Sequence, residues 1–152
     1  MLTPLHLPNA PLSLSKKGKD VFVVCLLRKK KVKLTPEEWV RQHVIYFLIA
    51  HRNYPESLIK IEHGIHIHQL FRRCDLVLYD RNANPRIIVE CKAPEIAVSQ
   101  LTFEQAAHYN QQLKTDYLLL TNGLQHQIIQ MDMQTKDLVF LEDIPFFEEL
   151  KL

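Results

Sequence analysis

The sequence predicts an α/β (α+β) fold in which helices flank a mixed central sheet. Apolar residues recur at helical spacing after Thr35, and from Ser57 onward the apolar period changes from 3.6 residues to two. A second helical segment, residues 102–113, separates this first group of strands from a second group. Helix, strands, helix and further strands in that order are typical of a mixed sheet with helices on its faces.

The length and composition of the chain indicate one globular domain. Its 152 residues are 47% apolar and 24% charged, which excludes a disordered chain and allows a genuine core. The longest apolar run, residues 21–27, is far shorter than the ~20 residues that cross a bilayer, so no membrane partner is expected. Three irregularly spaced cysteines and the lack of a signal peptide predict a reducing compartment, and we expect a cytoplasmic protein.

The beginning of the chain is expected to lie outside the domain. Residues 1–19 contain three prolines and predict an extended arm, followed by a single domain over residues 20–152. Residues 21–27 are apolar and rich in valine, which favours a first strand or a segment packed under the core.

A basic cluster follows this apolar run. It consists of Arg28, Lys29, Lys30, Lys31 and Lys33. Such a run is typical of a solvated face, but it is also typical of a patch that contacts phosphates. The net charge of +2 does not decide between the two interpretations.

The first helix has a clear start in the sequence. Thr35 stands at the N-cap, Pro36 at the first helical position and Glu38 three residues after the threonine, which predicts a capping box. The apolar stripe continues to about His51, where we expect the helix to end.

The remaining elements follow from apolar alternation and turn residues. Gly64 predicts a hairpin between residues 58–62 and 65–69. Strands are then expected over residues 73–79, 86–92, 116–121, 125–133 and 138–141. Because the turn over residues 80–85 is short, the strands on either side of it should pair directly and antiparallel. In the second helix, Thr102 and Gln105 have the spacing of a capping box.

Charged residues end two of the predicted strands at the same place. Alternation puts Asp75 on one face with Val77, and puts Glu90 and Lys92 on one face with Cys91 pointing the other way. Antiparallel pairing brings Asp75 close to Glu90 and Lys92. Two carboxylates are hard oxygen ligands for Mg²⁺ or Mn²⁺, and a lysine beside them can stabilise charge on a phosphate. The alternative is a structural ion-pair network at the strand end.

The pattern Asp75…Glu90-x-Lys92 resembles the D…(D/E)xK signature of the restriction-endonuclease-like superfamily, PD-(D/E)XK. Further segments share the resemblance, and they are Thr35–Gln42, Ile88–Pro94, Gln105-x-x-x-Tyr109-Asn110 and Thr121-Asn122-Gly123. Together they resemble the N-terminal nuclease domain of type I restriction enzyme R subunits and its short stand-alone bacterial relatives, over roughly residues 20–145. The resemblance implies the restriction-endonuclease-like fold.

The resemblance also implies a site. Asp75 and Glu90 would hold Mg²⁺ or Mn²⁺ together with the backbone carbonyl of Cys91, and Lys92 would be the catalytic lysine. A glutamate of the first helix often completes such a site, and Glu37 is the expected residue. The remaining implied residues are Gln105 and Tyr109, which would position the substrate or the catalytic lysine.

The activity implied by the resemblance is metal-dependent hydrolysis of DNA phosphodiester bonds, with endonuclease action expected over exonuclease action. The alternative is a catalytically silent DNA-binding or assembly module that keeps the fold. The expected partners are DNA, bound through Lys29, Lys30 and Lys31, and either a second copy of the chain or a restriction or motor subunit. Type I R subunits continue into an ATP-driven motor where this chain ends, so we expect no translocation from this polypeptide.

Histidines near Cys74 invite a zinc interpretation. They are His63, His66 and His68. Zinc requires four ligands at tight spacing, which this segment does not offer, so a polar hairpin face is the favoured interpretation. Cys91 is likewise expected to be a core thiol, because its side chain faces away from Glu90.

Overall fold

The computed structural model describes residues 2–67, 70–132 and 134–150, and the side chains among them outside residues 62–73. Three short strands form a sheet of their own at the start of the chain. They are β1 (Leu14–Lys17), β2 (Asp20–Val24) and β3 (Lys31–Lys33), paired antiparallel in that order. A strand within residues 21–27 is therefore confirmed as β2. β1 lies inside the segment for which an extended arm was expected, and Leu5 and Leu7, which precede it, pack against the core.

The first helix, α1 (Pro36–Arg52), forms as predicted. The Oγ1 atom of Thr35 accepts a hydrogen bond from the backbone N–H of Glu38 at 3.1 Å. The reciprocal half of the predicted capping box is wrong, because the Glu38 carboxylate accepts from Arg41 and Gln42 instead. A bond to a buried guanidinium is charge-assisted on both sides, and it is therefore stronger than a bond to a backbone N–H.

The central sheet has six strands in the order β4-β5-β6-β7-β8-β9. Their bounds are β4 (Ile59–Ile67), β5 (Leu70–Tyr79), β6 (Pro85–Cys91), β7 (Tyr117–Thr121), β8 (His126–Met131) and β9 (Leu138–Leu141). The pair β6–β7 is parallel and the other neighbours are antiparallel. The crossover between the two parallel strands contains α2 (Gln100–Leu113). The predicted mixed sheet with flanking helices is confirmed.

Two predicted boundaries are wrong. The hairpin at Gly64 does not exist, because β4 runs through this residue, which pairs with Arg73 of β5. Isoleucines at odd positions keep the same alternation on both sides of Gly64, so nothing in the pattern breaks the strand. The end of the second predicted strand, residues 68–69, lies outside the described residues. The second helix begins two residues early, with Ser99 at its N-cap and Thr102 at N3.

The sheet separates two apolar clusters. One lies under α1 and contains helix residues Val40, Val44, Ile45 and Leu48 together with strand residues Leu76, Leu78, Val89, Cys91 and Leu119. The other lies under α2 and contains Cys74, Val77, Ile88, Ala106, Leu118, Leu120 and Ile129. Strands buried on both faces read as continuous apolar runs, as β7 does. In the part of the chain that the structure describes, no helix has both the length and the apolar character to cross a bilayer.

Candidate active site

The candidate site lies where β6 ends. β5 and β6 pair antiparallel with Leu76 opposite Val89, which confirms the predicted pairing. On the other side of β6, the N–H of Lys92 donates to the carbonyl of Thr121 at 2.8 Å and continues the parallel pairing with β7. Asp75, which precedes Leu76, and Glu90, which follows Val89, are therefore neighbours at one end of the two strands.

Asp75 faces α1, which corrects the predicted face. Alternation placed it with Val77 and Tyr79, but these two residues pack on the α2 side. Arg41 of α1 reaches Asp75 through Nη2 at 2.6 Å and through Nε at 3.2 Å, both to Oδ1. Cys74 lies in the α2-side cluster although Leu76 lies in the α1-side cluster, so the period of two is interrupted between them. The interruption lets the buried carboxylate of Asp75 bind a guanidinium, which offsets the cost of its burial.

The second oxygen of Asp75 is tied to β6. Its Oδ2 accepts a hydrogen bond from the backbone N–H of Cys91 at 2.8 Å. The N–H and C=O of one strand residue leave the same edge of the strand, so the Cys91 carbonyl also projects toward β5. The Cys91 side chain is buried in the α1-side cluster, as predicted, and burial raises the pKa of its thiol well above the usual value.

Glu90 is a buried acid whose charge is poorly compensated. Its side chain is 4% exposed, and its Oε1 has no hydrogen-bond partner among the described residues. Burial, followed by the negative charge of Asp75, raises the pKa of Glu90 to about 8, against opposing effects of Lys92 and of a hydrogen bond from the Asp75 backbone. Burial and a second carboxylate nearby both disfavour the ionised form of an acid in this way.

Lys92 is held by the second helix. Its Nζ donates to the Oε1 of Gln105 at 3.0 Å, so the predicted approach of these two residues occurs. Tyr109, one turn further along α2, packs against the α2-side cluster. Gln105 therefore orients the ammonium group, whereas Tyr109 helps to seat the helix on the sheet.

The two glutamates of α1 occupy different positions. Glu37 is half-buried, and its Oε1 accepts from Arg41 at 3.2 Å. Burial, the charge of Asp75 and a hydrogen bond with Asp75 raise the pKa of Glu37. Glu37 thus reaches Asp75, and its part in holding a metal stays a prediction. The Oε1 atom of Glu38 accepts a hydrogen bond from the other terminal nitrogen of Arg41, Nη1, at 2.8 Å.

Arg41 is the site residue that the sequence analysis missed. Its side chain is 10% exposed and contacts Asp75, Glu37 and Glu38. Burial disfavours its charged form, but Asp75 and Glu38 outweigh burial and raise the pKa of its guanidinium. The spacing of Arg41 from the two glutamates predicts helix ion pairs. Asp75 is 34 positions away in the sequence, so no pattern among neighbouring residues predicts its contact with Arg41.

The basic cluster contacts α1 indirectly. The N–H of Leu26, just before the cluster, donates to Oε1 of the fully buried Gln42 at 3.0 Å, and Gln42 donates to Glu38 at 3.1 Å. Lys29 pairs with Glu56 at 3.5 Å on the surface. Lys30 and Lys31 are exposed. The structure therefore anchors this turn to the helix that carries Arg41, but shows no contact between the three lysines and the carboxylates.

No group of three or more His, Cys, Asp or Glu side chains is arranged to hold a metal among the described residues. The oxygens at this strand end of the kind that Mg²⁺ prefers belong to the carboxyl groups of Glu90 and Asp75 and to the backbone carbonyl of Cys91. A third side-chain ligand is not required for Mg²⁺, which usually keeps several waters. His68 lies outside the described residues, and the side chains of His63 and His66 are not described, so the zinc alternative stays an interpretation of the sequence.

A family model matches most of the chain. The model of the type I restriction enzyme R protein N terminus (HSDR_N) matches residues 36–145 of the 152 residues. The chain belongs to this family. The acidic residues of the candidate site and Arg41, Lys92 and Gln105 lie in the range shared with the HSDR_N family, whereas the basic cluster and β1, β2 and β3 precede it. No curated protein matches the chain.

A solved structure supports the fold of this HSDR_N member. It is the fragment structure of a candidate HsdR subunit of a type I restriction enzyme from Vibrio vulnificus YJ016, with a TM-score of 0.54 and 24% sequence identity. The similarity covers 77% of this chain and 24% of that chain, so this chain spans about a quarter of its length. At this identity the similarity shows the fold, and the predicted restriction-endonuclease-like architecture is consistent with it.

Proposed function

We propose that the protein is a metal-dependent deoxyribonuclease that hydrolyses DNA phosphodiester bonds, as an endonuclease. The single observation that carries the proposal is the buried Oε1 of Glu90 beside Asp75, which has no hydrogen-bond partner in the part of the chain that the structure describes. An uncompensated buried carboxylate costs several kcal/mol, on the order of what a bound cation would offset. Membership in the family of type I restriction enzyme R proteins supports the same function.

Each side chain has a role in this proposal. Asp75, Glu90 and the carbonyl of Cys91 would hold Mg²⁺ or Mn²⁺, and Glu37 would support Asp75 from α1. The cation, when bound, supplies Lewis acidity and activates water for attack. Lys92, positioned by Gln105 at 3.0 Å, would stabilise the charge that develops on the phosphate. Arg41 would hold the carboxylate of Asp75 in its orientation.

The DNA would be held mainly through its backbone. Lys29 and Lys30 lie on a turn that is anchored to α1 through Gln42, and Lys31 begins β3; their charges would contact phosphates. We expect that a restriction or motor subunit, or a second copy of the chain, takes part in the full activity, because the family is that of type I restriction enzyme R proteins.

A second function is favoured by Arg41. A guanidinium 2.6 Å from Asp75 already neutralises one of the two carboxylates, as a cation would. In this alternative the chain is a catalytically silent DNA-binding or assembly module. The Arg41–Asp75 pair would then be a structural contact that replaces the cation.

Cleavage of supercoiled plasmid with Mg²⁺ or Mn²⁺ distinguishes the two functions. We expect the wild type to nick the plasmid, and Glu90→Gln and Lys92→Met to lose about a hundredfold or more of the rate. Glu104→Gln, on the exposed side of α2, is the matched control and should cut like the wild type. Equal cutting by all four proteins would show that the site is assigned wrongly.

A second measurement does not depend on turnover. Titration with Mn²⁺ while the melting temperature is followed should stabilise the wild type and Lys92→Met but not Glu90→Gln, because ligand binding to the native state raises its stability. If no cation stabilises the wild type, and DNA still binds in a salt-dependent manner, the silent module is the function.

A further inference from the structure

The turn after β7 holds the loop that follows Lys92 at two places. The N–H of Lys92 donates to the carbonyl of Thr121 at 2.8 Å. Further along the loop, the carbonyl of Ile96 accepts a hydrogen bond from Nδ2 of Asn122 at 2.8 Å, and the carbonyl of Pro94 accepts a longer one from the same atom at 3.5 Å. The start and the middle of the loop are therefore tied to two neighbouring residues of one turn.

Asn122 uses its whole side-chain amide for this connection. The residue is 4% exposed. Its Oδ1 accepts the backbone N–H groups of Leu124 at 2.9 Å and Gln125 at 2.8 Å within the turn, while its Nδ2 donates to the loop. An amide offers two N–H donors and two acceptor lone pairs, and each of these has a partner here. A carboxylate would keep the bonds to the turn but could not donate to the loop.

The middle of the loop depends on this bond for its position. The side chains of Glu95, Ile96 and Ala97 are exposed, so apolar packing contributes little to holding them. The hydrogen bond from the N–H of Ile96 to the carbonyl of Ala93, at 2.9 Å, lies within the loop and does not attach it to the sheet. The bond from Asn122 therefore fixes where the loop lies against the end of β7.

The position of the loop matters for Lys92 because α2 begins where the loop ends. Ser99 is the N-cap of α2, and Gln105 of that helix accepts a hydrogen bond from Nζ of Lys92 at 3.0 Å. Residues 93–99 connect the lysine to the helix that carries its acceptor. A displacement of this loop would therefore change the distance between the ammonium group and Gln105.

We propose that Asn122 is a positioning residue for Lys92, because it fixes the loop that sets the contact between Lys92 and Gln105. Asn122 acts through the backbone of the loop and does not itself contact DNA. The effect on cleavage rests on the proposed nuclease function, in which Lys92 stabilises charge on the phosphate. Displacement of a catalytic group by about 1 Å can cost up to about a hundredfold in rate.

Asn122→Asp tests the proposal, because it keeps the acceptor for the turn and removes the donors to the loop. In cleavage of supercoiled plasmid, we expect kcat to fall about tenfold while KM stays within about twofold of the wild-type value. The wild type and Asn122→Asp should bind DNA equally well. A change in KM alone would place Asn122 in DNA binding and overturn the proposal.

Asn110→Asp is the matched control. Asn110 is also 4% exposed, its Nδ2 donates to the carbonyl of Thr115 at 3.0 Å, and its Oδ1 accepts the N–H of the same residue. The substitution thus removes a donor and keeps an acceptor, but at the other end of α2. It should destabilise the fold and leave kcat unchanged. An equal loss of kcat in both variants would show that Asn122 is merely structural.

The background variant Gln105→Ala shows whether Asn122 acts through the contact with Lys92. In that background, Asn122→Asp should lower kcat by less than about a further twofold, because the contact that it positions is already lost. Multiplication of the two effects would mean that Asn122 acts by another route, and would overturn the proposal.

Competitive acetylation of the folded protein tests the same contact without metal, DNA or turnover. Mass spectrometry should show Lys92 of Asn122→Asp reacting about threefold faster than in the wild type, because its amine loses an acceptor. The exposed Lys60 is the internal reference, and Asn110→Asp should leave the rate at Lys92 unchanged. An unchanged rate in Asn122→Asp overturns the positioning role. A wild type that does not cut, together with the faster labelling, overturns the nuclease function and supports the positioning role.

Discussion

The guanidinium of Arg41 lies 2.6 Å from Oδ1 of Asp75, whose other oxygen accepts the backbone N–H of Cys91 at 2.8 Å. A residue of the first helix thus fixes a carboxylate on one strand against the end of the next strand. Among the described residues, the neighbouring Glu90 has no comparable partner for its Oε1. The site therefore contains one compensated and one uncompensated carboxylate, and this difference determines the predictions that follow.

Arg41→Met should lower the free energy of unfolding by about 3–5 kcal/mol, because it leaves the buried carboxylate of Asp75 without its cation. Urea denaturation measures the change. Lys33→Met, which removes a surface pair with Asp20, is the control and should cost less than about 1 kcal/mol. The double variant Arg41→Met/Asp75→Asn should recover part of the loss, and a fully additive result would contradict the pairing.

Stability should fall as pH rises from about 4.5 to about 8. The pKa of Glu90 is raised to about 8 in the native state by burial and Asp75, so the native state holds a proton that the unfolded state has already released in this interval. Urea denaturation at several pH values, with chelator present, measures the slope. Glu90→Gln should flatten it and gain stability relative to the wild type mainly at the alkaline end. If the unfolding free energy of Glu90→Gln falls with pH as steeply as that of the wild type, Glu90 is not the group that causes the fall.

Gln105→Ala should lower kcat of DNA cleavage about tenfold and leave KM nearly unchanged, because Lys92 keeps its charge but loses the acceptor that orients it. Gln111→Ala, on the exposed face of the same helix, is the matched control. Gln105→Glu should recover part of the rate, since a carboxylate can also accept from Lys92. An effect on KM alone would assign Gln105 to DNA binding instead.

Replacement of Lys29, Lys30 and Lys31 by glutamine should weaken DNA binding and reduce the slope of log Kd against log salt by up to about 3, because each phosphate contact releases close to one counterion. Fluorescence anisotropy with a labelled duplex at several salt concentrations measures both quantities. The same replacement of Lys16, Lys17 and Lys19 is the control for net charge. Equal slopes for the two triple variants would show that Lys29, Lys30 and Lys31 do not face DNA more than the control lysines do.

Gly123→Ala should destabilise the fold more than Gly18→Ala. Both glycines have a positive φ, of 85° and 63°, but a Cβ at Gly123 would lie 2.6 Å from Cδ2 of Leu5 while a Cβ at Gly18 meets nothing within 4 Å. Gly18→Ala should cost about 1–2 kcal/mol from backbone strain alone. Unfolding free energies should show a larger loss for Gly123→Ala.

The variant pair with Leu5 separates the two contributions at Gly123. Leu5→Ala removes the atoms that the new Cβ would meet, so the further cost of Gly123→Ala in that background should approach that of Gly18→Ala. If the cost does not fall, the N-terminal segment does not press on the turn after β7. The N–H of His6 donates to the carbonyl of Gly123 at 2.8 Å, which holds the segment there.

The sequence by itself determined the elements whose signals are local. Thr35 and Pro36 define the start of α1, and the short turn after Tyr79 pairs β5 with β6. Alternation within β6 put Lys92 on the face where Gln105 meets it. These features depend on neighbours within a few residues, and propensity and period act over that range.

Only the tertiary structure decided how Asp75 is used. Strict alternation predicts Asp75 on the same face as Val77. In the structure, the guanidinium of Arg41, 34 residues earlier, and the backbone N–H of Cys91 hold Asp75 on the opposite face. Leaving the buried carboxylate unpaired would cost more free energy than a local irregularity at the end of the strand. The strand therefore departs from strict alternation, and Asp75 keeps its hydrogen bonds. The sequence thus determined which acidic residues meet at the end of β6, and the packing of α1 against the sheet decided that Asp75 is compensated and Glu90 is not.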